Sequence, residues 1–194
     1  MNDWKFRYDY VDDIHWLKEK PNWFRVKRNI LGITLIGFVD ETGREIIPCK
    51  YTSHKYYFFE GLLQVTNSEN KIGFVNEFGN EIIPCIYDEA SYPENGFVCV
   101  CKEQKWGLVD LGGNVKIPLK YRFLGHLGKN RLIAQKFDSY RVGSLDYNEN
   151  VCIPFEYYQL GKITQDSLIE YSKGEGLEHG FLNLDGKIVR ILPF

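Results

Sequence analysis

The sequence predicts an all-β fold: a tandem repeat of five three-stranded meander units behind a short N-terminal helical cap. The motif IGFVDETGREIIPCKY at 36–51 returns almost unchanged at 72–87, and with more substitutions further along the chain. Its leading glycine recurs every 34 to 37 residues, a period typical of repeated supersecondary units. A second apolar segment precedes each copy, which brings the number of short strands per repeat to three.

Residues 1–21 are predicted to cap the first repeat. Asp12 or Asp13 is a suitable N-cap for a short helix in DDIHWLKEKP, and Pro21 is a suitable stop. The apolar face of this helix would consist of Ile14, Trp16 and Leu17. Ahead of it, KFRYDY resembles the connectors CKYTSH and CIYDEA. The cap is expected to cover the apolar insertion ILGITLIGF at 30–38. The alternative prediction is that this insertion is an edge that binds a partner.

The five repeats fill residues 22–194. Their approximate limits are 22–60, 61–95, 96–130, 131–166 and 167–194. The glycines that open the middle strands are Gly37, Gly73, Gly107, Gly143 and Gly180. Two adjacent apolar residues follow each of the first three glycines, and neighbours on a strand face opposite sides. Both faces of the middle strand are therefore predicted to be covered by adjacent repeats.

The turn after each middle strand has Asp or Asn three residues before glycine. These pairs are Asp40 with Gly43, Asn76 with Gly79, Asp110 with Gly113, and Asn183 with Gly186. The spacing favours a type I turn closed by a residue in the left-handed conformation. In the fourth repeat Glu149 replaces the glycine, and Asn148 or Asn150 is expected to adopt that conformation instead.

A proline and a tyrosine recur near the end of the first four repeats. They are Pro48, Pro84, Pro118 and Pro154, and Tyr51, Tyr87, Tyr121 and Tyr157. Proline cannot donate to a sheet, so it is expected to end the third strand or to lie on a sheet edge. The tyrosines are expected to pack as a ladder between repeats.

The stretch KWGLVD at 105–110, followed by GG, KIP and KY, resembles the WG repeat family of bacterial proteins, also called KWG repeats. The Trp-Gly pair itself occurs only in the third repeat, as Trp106 and Gly107. The resemblance implies an all-β interaction or accessory module and brings no catalytic residues.

Five such units form either an open, twisted hairpin solenoid or a small five-bladed propeller. Propeller blades normally have four strands and about 40 or more residues, whereas these repeats are shorter and show three strands. The sequence therefore favours the open array, although the connectors are long enough to contain a fourth short strand.

Composition limits the classes of partner. The 24 basic and 26 acidic residues are interspersed, with a net charge of −2, which argues against nucleic acid and membrane surfaces as partners. The N-terminus lacks the pattern of a signal peptide, and no apolar run reaches the length of a membrane span, so a soluble cytoplasmic protein is expected. The sequence does not indicate an oligomeric state.

No catalytic, cofactor-binding or metal-binding residue is predicted. Asp9, Asp12, Asp13 and His15 are interpreted as an acidic turn rather than a metal site. The five cysteines are expected to be reduced, although Cys49 and Cys85 occupy equivalent positions and raise the possibility of a disulfide.

Aromatic residues in the variable connectors are the functional candidates. Connectors HKYYFFEG at 54–61 and FEYYQLG at 155–161 differ between repeats while the framework is kept, a division typical of scaffold and recognition surface. The chosen residues are Tyr56, Tyr57, Phe59 and Tyr158. The leading hypothesis is a non-enzymatic protein-binding module. The alternatives are carbohydrate or small-ligand binding, a toxin-neutralising accessory protein, and an enzyme.

Overall fold

The computed structural model describes residues 3–14, 20, 22–174 and 178–192. A 3₁₀ helix, Asp3–Arg7, precedes twenty strands in this part of the chain. The first ten are β1 (Tyr10–Asp13), β2 (Trp23–Ile30), β3 (Ile33–Asp40), β4 (Glu45–Tyr51), β5 (Ser53–His54), β6 (Leu62–Thr66), β7 (Ile72–Asn76), β8 (Glu81–Tyr87), β9 (Glu89–Ala90) and β10 (Phe97–Lys102). The others are β11 (Lys105–Asp110), β12 (Val115–Tyr121), β13 (Phe123–Gly128), β14 (Arg131–Gln135), β15 (Val142–Leu145), β16 (Val151–Tyr157), β17 (Gln159–Ile163), β18 (Ile169–Lys173), β19 (Glu178–Leu182) and β20 (Ile188–Ile191).

These strands form five four-stranded antiparallel sheets, and within each sheet the strands follow one another in chain order. The first sheet is β1 to β4, the second β5 to β8, the third β9 to β12, the fourth β13 to β16 and the fifth β17 to β20. The all-β prediction is therefore confirmed for the residues that the structure describes.

The prediction of three strands per repeat is wrong, because the connector after each repeat supplies a fourth strand to the next sheet. In the second sheet this strand is β5, which has only two residues. Backbone hydrogen bonds extend the pairing on both sides, from Thr52 N to Thr66 O (2.8 Å) and from Lys55 N to Gln64 O (2.9 Å). The second sheet thus begins at 53 rather than 61. So short a strand has no alternating pattern that sequence could reveal.

The chain divides into two compact units. The N-terminal unit contains residues 1–96 and 111–113, and the C-terminal unit contains 97–110 and 114–194. In the N-terminal unit the first two sheets share one core, made of Phe38, Ile47 and Tyr51 from the first sheet and Leu63, Val65 and Val75 from the second. In the C-terminal unit, Ile153 and Tyr157 of the fourth sheet pack likewise against Ile169 and Leu182 of the fifth. In each unit these neighbouring sheets therefore pack against each other through apolar side chains on their faces.

The N-terminal segment covers the other face of the first sheet. Trp4 of the 3₁₀ helix and Tyr8, which follows the helix, form a core with Val26 and Val39. The helical cap over residues 1–21 stays a prediction. Asp12 and Asp13 lie in β1, and the helix predicted after them falls on 15–19 and 21, outside the described residues.

The prediction that residues 1–21 cover the insertion at 30–38 is wrong for the tip of the β2–β3 hairpin. Ile30, Leu31 and Ile33 are 48%, 99% and 46% exposed. The hairpin extends beyond the strand β1 that pairs with β2, since that pairing runs only from Tyr10 to Asp13.

The turns have the expected chemistry, as the second sheet illustrates. Asn76 Oδ1 accepts hydrogen bonds from the backbone N–H groups of Phe78 and Asn80, both at 3.0 Å. Gly79 has φ +81°, and a Cβ built there would lie 1.7 Å from the carbonyl oxygen of Ile46. Glycine is required at this position for both its conformation and the space.

The fourth turn corrects the prediction for Glu149. Glu149 itself has φ +69°, and neither Asn148 nor Asn150 is among the described residues with positive φ. Asp146 Oδ1 accepts from the backbone N–H groups of Asn148 (2.9 Å) and Asn150 (2.8 Å). These bonds set the register of the turn, so position 149 is left-handed whichever side chain occupies it.

Each recurring proline lies within the last strand of its sheet, as Pro48 does within β4. The last strand is a sheet edge, where a missing N–H removes no internal ladder bond. Of the two predicted positions for proline, the edge is therefore the observed one.

Candidate functional site

The apolar and tyrosine side chains that recur in the repeat are buried. Phe38, Phe74 and Leu108 occupy the same position in three middle strands, and each is at most 1% exposed. The four recurring tyrosines are 2% to 6% exposed. These side chains cannot contact a ligand without unfolding, so they act as scaffold.

Two of the four recurring tyrosines, Tyr51 and Tyr121, connect neighbouring sheets through a glutamate. Tyr51 OH donates to the Glu81 carboxylate at 3.1 Å, and Lys50 Nζ donates to the same oxygen at 3.0 Å. Tyr121 and Lys120 make the same pair of bonds to Glu149, each 2.7 Å long. At Tyr51 and Tyr121 a Tyr–Glu–Lys link is therefore found where the tyrosine ladder was predicted.

Tyr8 in the N-terminal segment makes the tyrosine–glutamate part of this link, since its hydroxyl donates to Glu45 at 3.2 Å. The resemblance of KFRYDY to the later connectors thus has a structural basis. Burial, followed by the nearby carboxylate, raises the pKa of Tyr51 and Tyr121. Burial opposes ionisation of Glu149, but the bonds from Lys120 and Tyr121 outweigh it and hold its pKa below the usual value.

The connector between β5 and β6 presents aromatic side chains outward. Tyr56 and Tyr57 are 59% and 55% exposed. The next residue, Phe58, is half-buried, and its ring packs edge-on against Trp23 with centroids 6.1 Å apart. The connector is closed by Phe59 and Leu62, whose backbone groups exchange two hydrogen bonds of 2.9 Å. The two tyrosines are therefore held on an anchored loop.

Phe59 extends this aromatic surface to a residue that the sequence reasoning missed. Its ring stacks at a tilt on Tyr92, with centroids 4.5 Å apart, and the two side chains are 36% and 48% exposed. Tyr92 lies in the connector between β9 and β10. The signal that selected the other aromatic residues, an aromatic side chain in a variable connector, also applies to it. Tyr56, Tyr57, Phe59 and Tyr92 together are called the connector surface.

Tyr158 lies in the C-terminal unit and has different surroundings. It is half-buried, and the guanidinium carbon of Arg141 lies 3.6 Å from its ring centroid. Tyr158 is therefore the support for a cation rather than a freely exposed ring.

A cleft of about 500 Å³ lies beside the first two sheets. It is lined by Lys20, Trp23, Arg44, Glu45, Ile46, Glu77 and Phe78. Lys20 forms an ion pair with Glu77, and its ammonium lies 5.6 Å from the Trp23 ring centroid. The cleft combines an aromatic wall with charged groups of both signs.

The acidic residues and cysteines singled out from the sequence have the following surroundings in the structure. Within residues 3–14, 20, 22–174 and 178–192, no three His, Cys, Asp or Glu side chains are grouped as metal ligands. Asp12 is instead ion-paired with Arg25, and His15 lies outside these ranges. The cysteines are free thiols, and burial raises the pKa of Cys49 and Cys85 to about 11. No helix in the described part is long and apolar enough to cross a membrane.

Comparison with known families identifies the repeat. Residues 36–71, 72–106 and 106–138 each match the family model described as WG containing repeat, and together they cover more than half of the chain. The chain belongs to the WG repeat family. The resemblance of KWGLVD to WG repeats is thereby confirmed. Each WG match begins within or at the start of a middle strand, β3, β7 or β11, and the first two run on through the connectors that carry Tyr56, Tyr57, Phe59 and Tyr92.

Solved structures share the fold of this WG repeat protein at low identity. A eukaryotic initiation factor has a TM-score of 0.55 and 10% identity over 89% of this chain and 52% of its own. Hsv2p of Kluyveromyces lactis has a TM-score of 0.50 and 8% identity over 95% and 62%. The chain thus spans only about half to three fifths of these structures. Among curated proteins, none has significant sequence similarity to it.

Proposed function

We propose that this WG repeat protein is a non-enzymatic module that binds another protein through the connector surface. The observation that supports the proposal is the division of the N-terminal unit. Its repeat-defining side chains are buried, whereas its variable connectors expose Tyr56, Tyr57, Phe59 and Tyr92. Tyrosine and phenylalanine are enriched in protein interfaces, where a few such residues provide most of the binding energy.

The anchoring of the connector strengthens this proposal. Phe58 is held against Trp23, and Lys55 N is bonded to Gln64 O on the flanking strand. A loop that is ordered before binding loses less conformational entropy when its partner arrives. Tyr56 and Tyr57 are therefore suited to act as preformed anchors.

The test is affinity capture from a lysate of the source organism with the double variant Tyr56→Ala/Tyr57→Ala. Phe6→Ala/Tyr10→Ala is the matched control, since Phe6 and Tyr10 are 86% and 51% exposed outside the connector surface. A specific partner should be retained by the wild type and the control, and should fall by about tenfold or more with the connector variant. Absence of any partner, or equal capture by all three proteins, would contradict the proposal.

A small ligand such as a carbohydrate is the second candidate, and the cleft beside the first two sheets favours it. Its volume of about 500 Å³ lies within the usual range for ligand pockets, and Trp23 supplies an aromatic wall. A glycan array distinguishes the two candidates, because a protein-binding module should give no signal that depends on Trp23. A toxin-neutralising accessory role would be one form of the protein binding proposed first.

The choice between an open array and a five-bladed propeller stays a prediction. The open array was preferred for two reasons, and the first was the prediction of three strands per repeat. The fourth strand of each sheet removes this reason. The short repeat length is the reason that is left.

A further inference from the structure

A second surface lies at one end of the fourth sheet, within the C-terminal unit. Phe123 at the start of β13 pairs with Gln135 at the end of β14, Gln135 with Val142, and Val142 with Tyr157 at the end of β16. All four strands thus reach the same end of the sheet. The residues immediately beyond them are Arg122, Lys136, Arg141 and Tyr158, which places three cations in one row.

The loop that joins β14 to β15 adds aromatic side chains to this row. It spans residues 136–141, and its Phe137 and Tyr140 are 52% and 75% exposed. The Arg122 guanidinium carbon lies 5.4 Å from the Tyr140 ring centroid. Arg122, Lys136, Phe137, Tyr140, Arg141 and Tyr158 together are called the cationic end.

At the corresponding end of the second sheet, a carboxylate pairs with the cation, and the cationic end has no carboxylate at that position. Its register is the same, with Ser53 pairing Thr66, Thr66 pairing Ile72, and Ile72 pairing Tyr87. The residues at the positions of Arg122, Lys136, Arg141 and Tyr158 are Thr52, Asn67, Lys71 and Asp88. There the single cation is neutralised, since Lys71 Nζ lies 2.5 Å from the Asp88 carboxylate.

In the fourth sheet Tyr158 occupies the position of Asp88, so Arg141 stacks on a ring instead of pairing with a carboxylate. Arg122, Lys136 and Arg141 form no ion pair within the described residues. Asp138 is the one acidic side chain in the loop 136–141. The cationic end therefore has an excess of positive charge on a chain whose net charge is −2.

Stacking prepares Arg141 for an external carboxylate. A guanidinium that lies over a ring is held in place by its face, while its N–H donors point outward in its plane. Those donors match the two oxygens of a carboxylate. Arg122 lies farther from its ring, 5.4 Å from the Tyr140 centroid, and supplies a second set of guanidinium donors at the same end.

We infer that the cationic end binds an acidic segment of a partner protein, with carboxylates on Arg122, Lys136 and Arg141 and an apolar side chain against Phe137 and Tyr140. This inference rests on the proposed protein-binding function and adds the chemistry of the partner. Nucleic acid is the less suitable polyanion, because a row of three cations is too small a footprint for phosphate-backbone binding at physiological salt.

The experiment begins by panning a random 12-residue peptide library on the full chain. Enriched peptides should be rich in Asp and Glu, and a synthetic copy should bind more weakly as salt is raised. Arg122→Gln/Arg141→Gln should weaken that binding by about tenfold or more. The control Lys129→Gln/Lys162→Gln removes the same charge elsewhere in the C-terminal unit and should leave binding unchanged.

A second variant tests the comparison between sheets directly. Tyr158→Asp places a carboxylate where the second sheet has Asp88, so it should neutralise Arg141 and weaken the peptide by a similar factor, while Tyr158→Phe should retain binding. Thermal unfolding checks that each variant is folded. Enrichment of neutral or basic peptides, no enrichment, or equal binding by all variants would overturn the inference. So would a 20-base DNA probe that binds more tightly than the peptides and is lost with the arginine variant.

The two proposals can fail separately. Tyr56→Ala/Tyr57→Ala alters only the N-terminal unit and tests the connector surface in the lysate experiment. The arginine variant alters only the C-terminal unit and is scored on synthetic peptides. An acidic peptide that depends on Arg141 would support the inference even if the connector variant had no effect.

Discussion

Replacing Glu149 by glycine should destabilise the protein, although glycine occupies this position in the other four turns. Glycine would relieve the left-handed strain at φ +69°, a gain of about 1 kcal/mol. It would also remove the acceptor of the buried Tyr121 hydroxyl, a hydrogen bond to a charged group that contributes about 1.5–3 kcal/mol. The Lys120 ion pair adds little, because the lysine side chain is 53% exposed. The expected net loss is about 0.5–2 kcal/mol.

Two further variants separate the terms. Glu149→Ala loses the same acceptor but keeps the strain, so it should be less stable than Glu149→Gly by about 1 kcal/mol. In the wild type, Tyr121→Phe should lower the free energy of unfolding by about the contribution of the hydrogen bond. In the Glu149→Gly background the same change should have almost no effect. Urea unfolding followed by circular dichroism measures the wild type and the four variants, including the double variant Tyr121→Phe/Glu149→Gly.

The reasoning is refuted if Glu149→Gly is as stable as the wild type or more so, since the Tyr–Glu link would then contribute no more than the strain that glycine relieves, about 1 kcal/mol. Equal stability of the Gly and Ala variants would show that the turn is not strained. The wild type also provides a pH test. The pKa of Glu149 is lowered in the folded state, so its contribution is complete above the ordinary glutamate value of about 4.3 and declines as the pH falls below it. Glu149→Gln should reduce that decline.

Four other substitutions test the packing, each by chemical unfolding. Gly79→Ala should lower the free energy of unfolding by about 3 kcal/mol or more, because its Cβ would meet Ile46 O at 1.7 Å. Gly61→Ala, at φ +80° in open space, should lower it by only about 1 kcal/mol. Equal costs would contradict the close approach at Gly79. Ser144 Oγ is buried without a hydrogen-bond partner in the described residues, so Ser144→Ala should be neutral or stabilising by up to about 1 kcal/mol, and a clear loss would reveal a missed bond. Trp4→Ala should destabilise the N-terminal unit by about 3 kcal/mol; a loss below about 1 would mean that the cap contributes little.

The repeat and its turns were readable from sequence because they depend on neighbours along the chain. The Asn76 side chain accepts from backbone N–H groups two and four residues away, and Gly79 closes the same turn. Such short-range geometry leaves a residue pattern at each copy. The two-residue strand β5 leaves none, because its pairing with β6 depends on backbone groups and not on side-chain type.

The candidate residues were only partly accessible to sequence reasoning. The run Tyr56, Tyr57, Phe58 and Phe59 marks an aromatic connector, but nothing in its order says that Phe58 turns inward to Trp23 while its neighbours face solvent. Tyr92 was missed, although its ring contacts Phe59 from a different connector.

The sequence by itself determined the period of the repeat, the positions of the turns and membership of the WG repeat family, since these depend on residues that are close along the chain. Only the tertiary structure decided which aromatic rings are exposed and which cations lack a carboxylate. Exposure and charge pairing depend on residues that meet across a sheet. Arg141 and Lys71 are each followed seventeen positions later by the residue that they contact, yet Arg141 meets the ring of Tyr158 and Lys71 meets the carboxylate of Asp88.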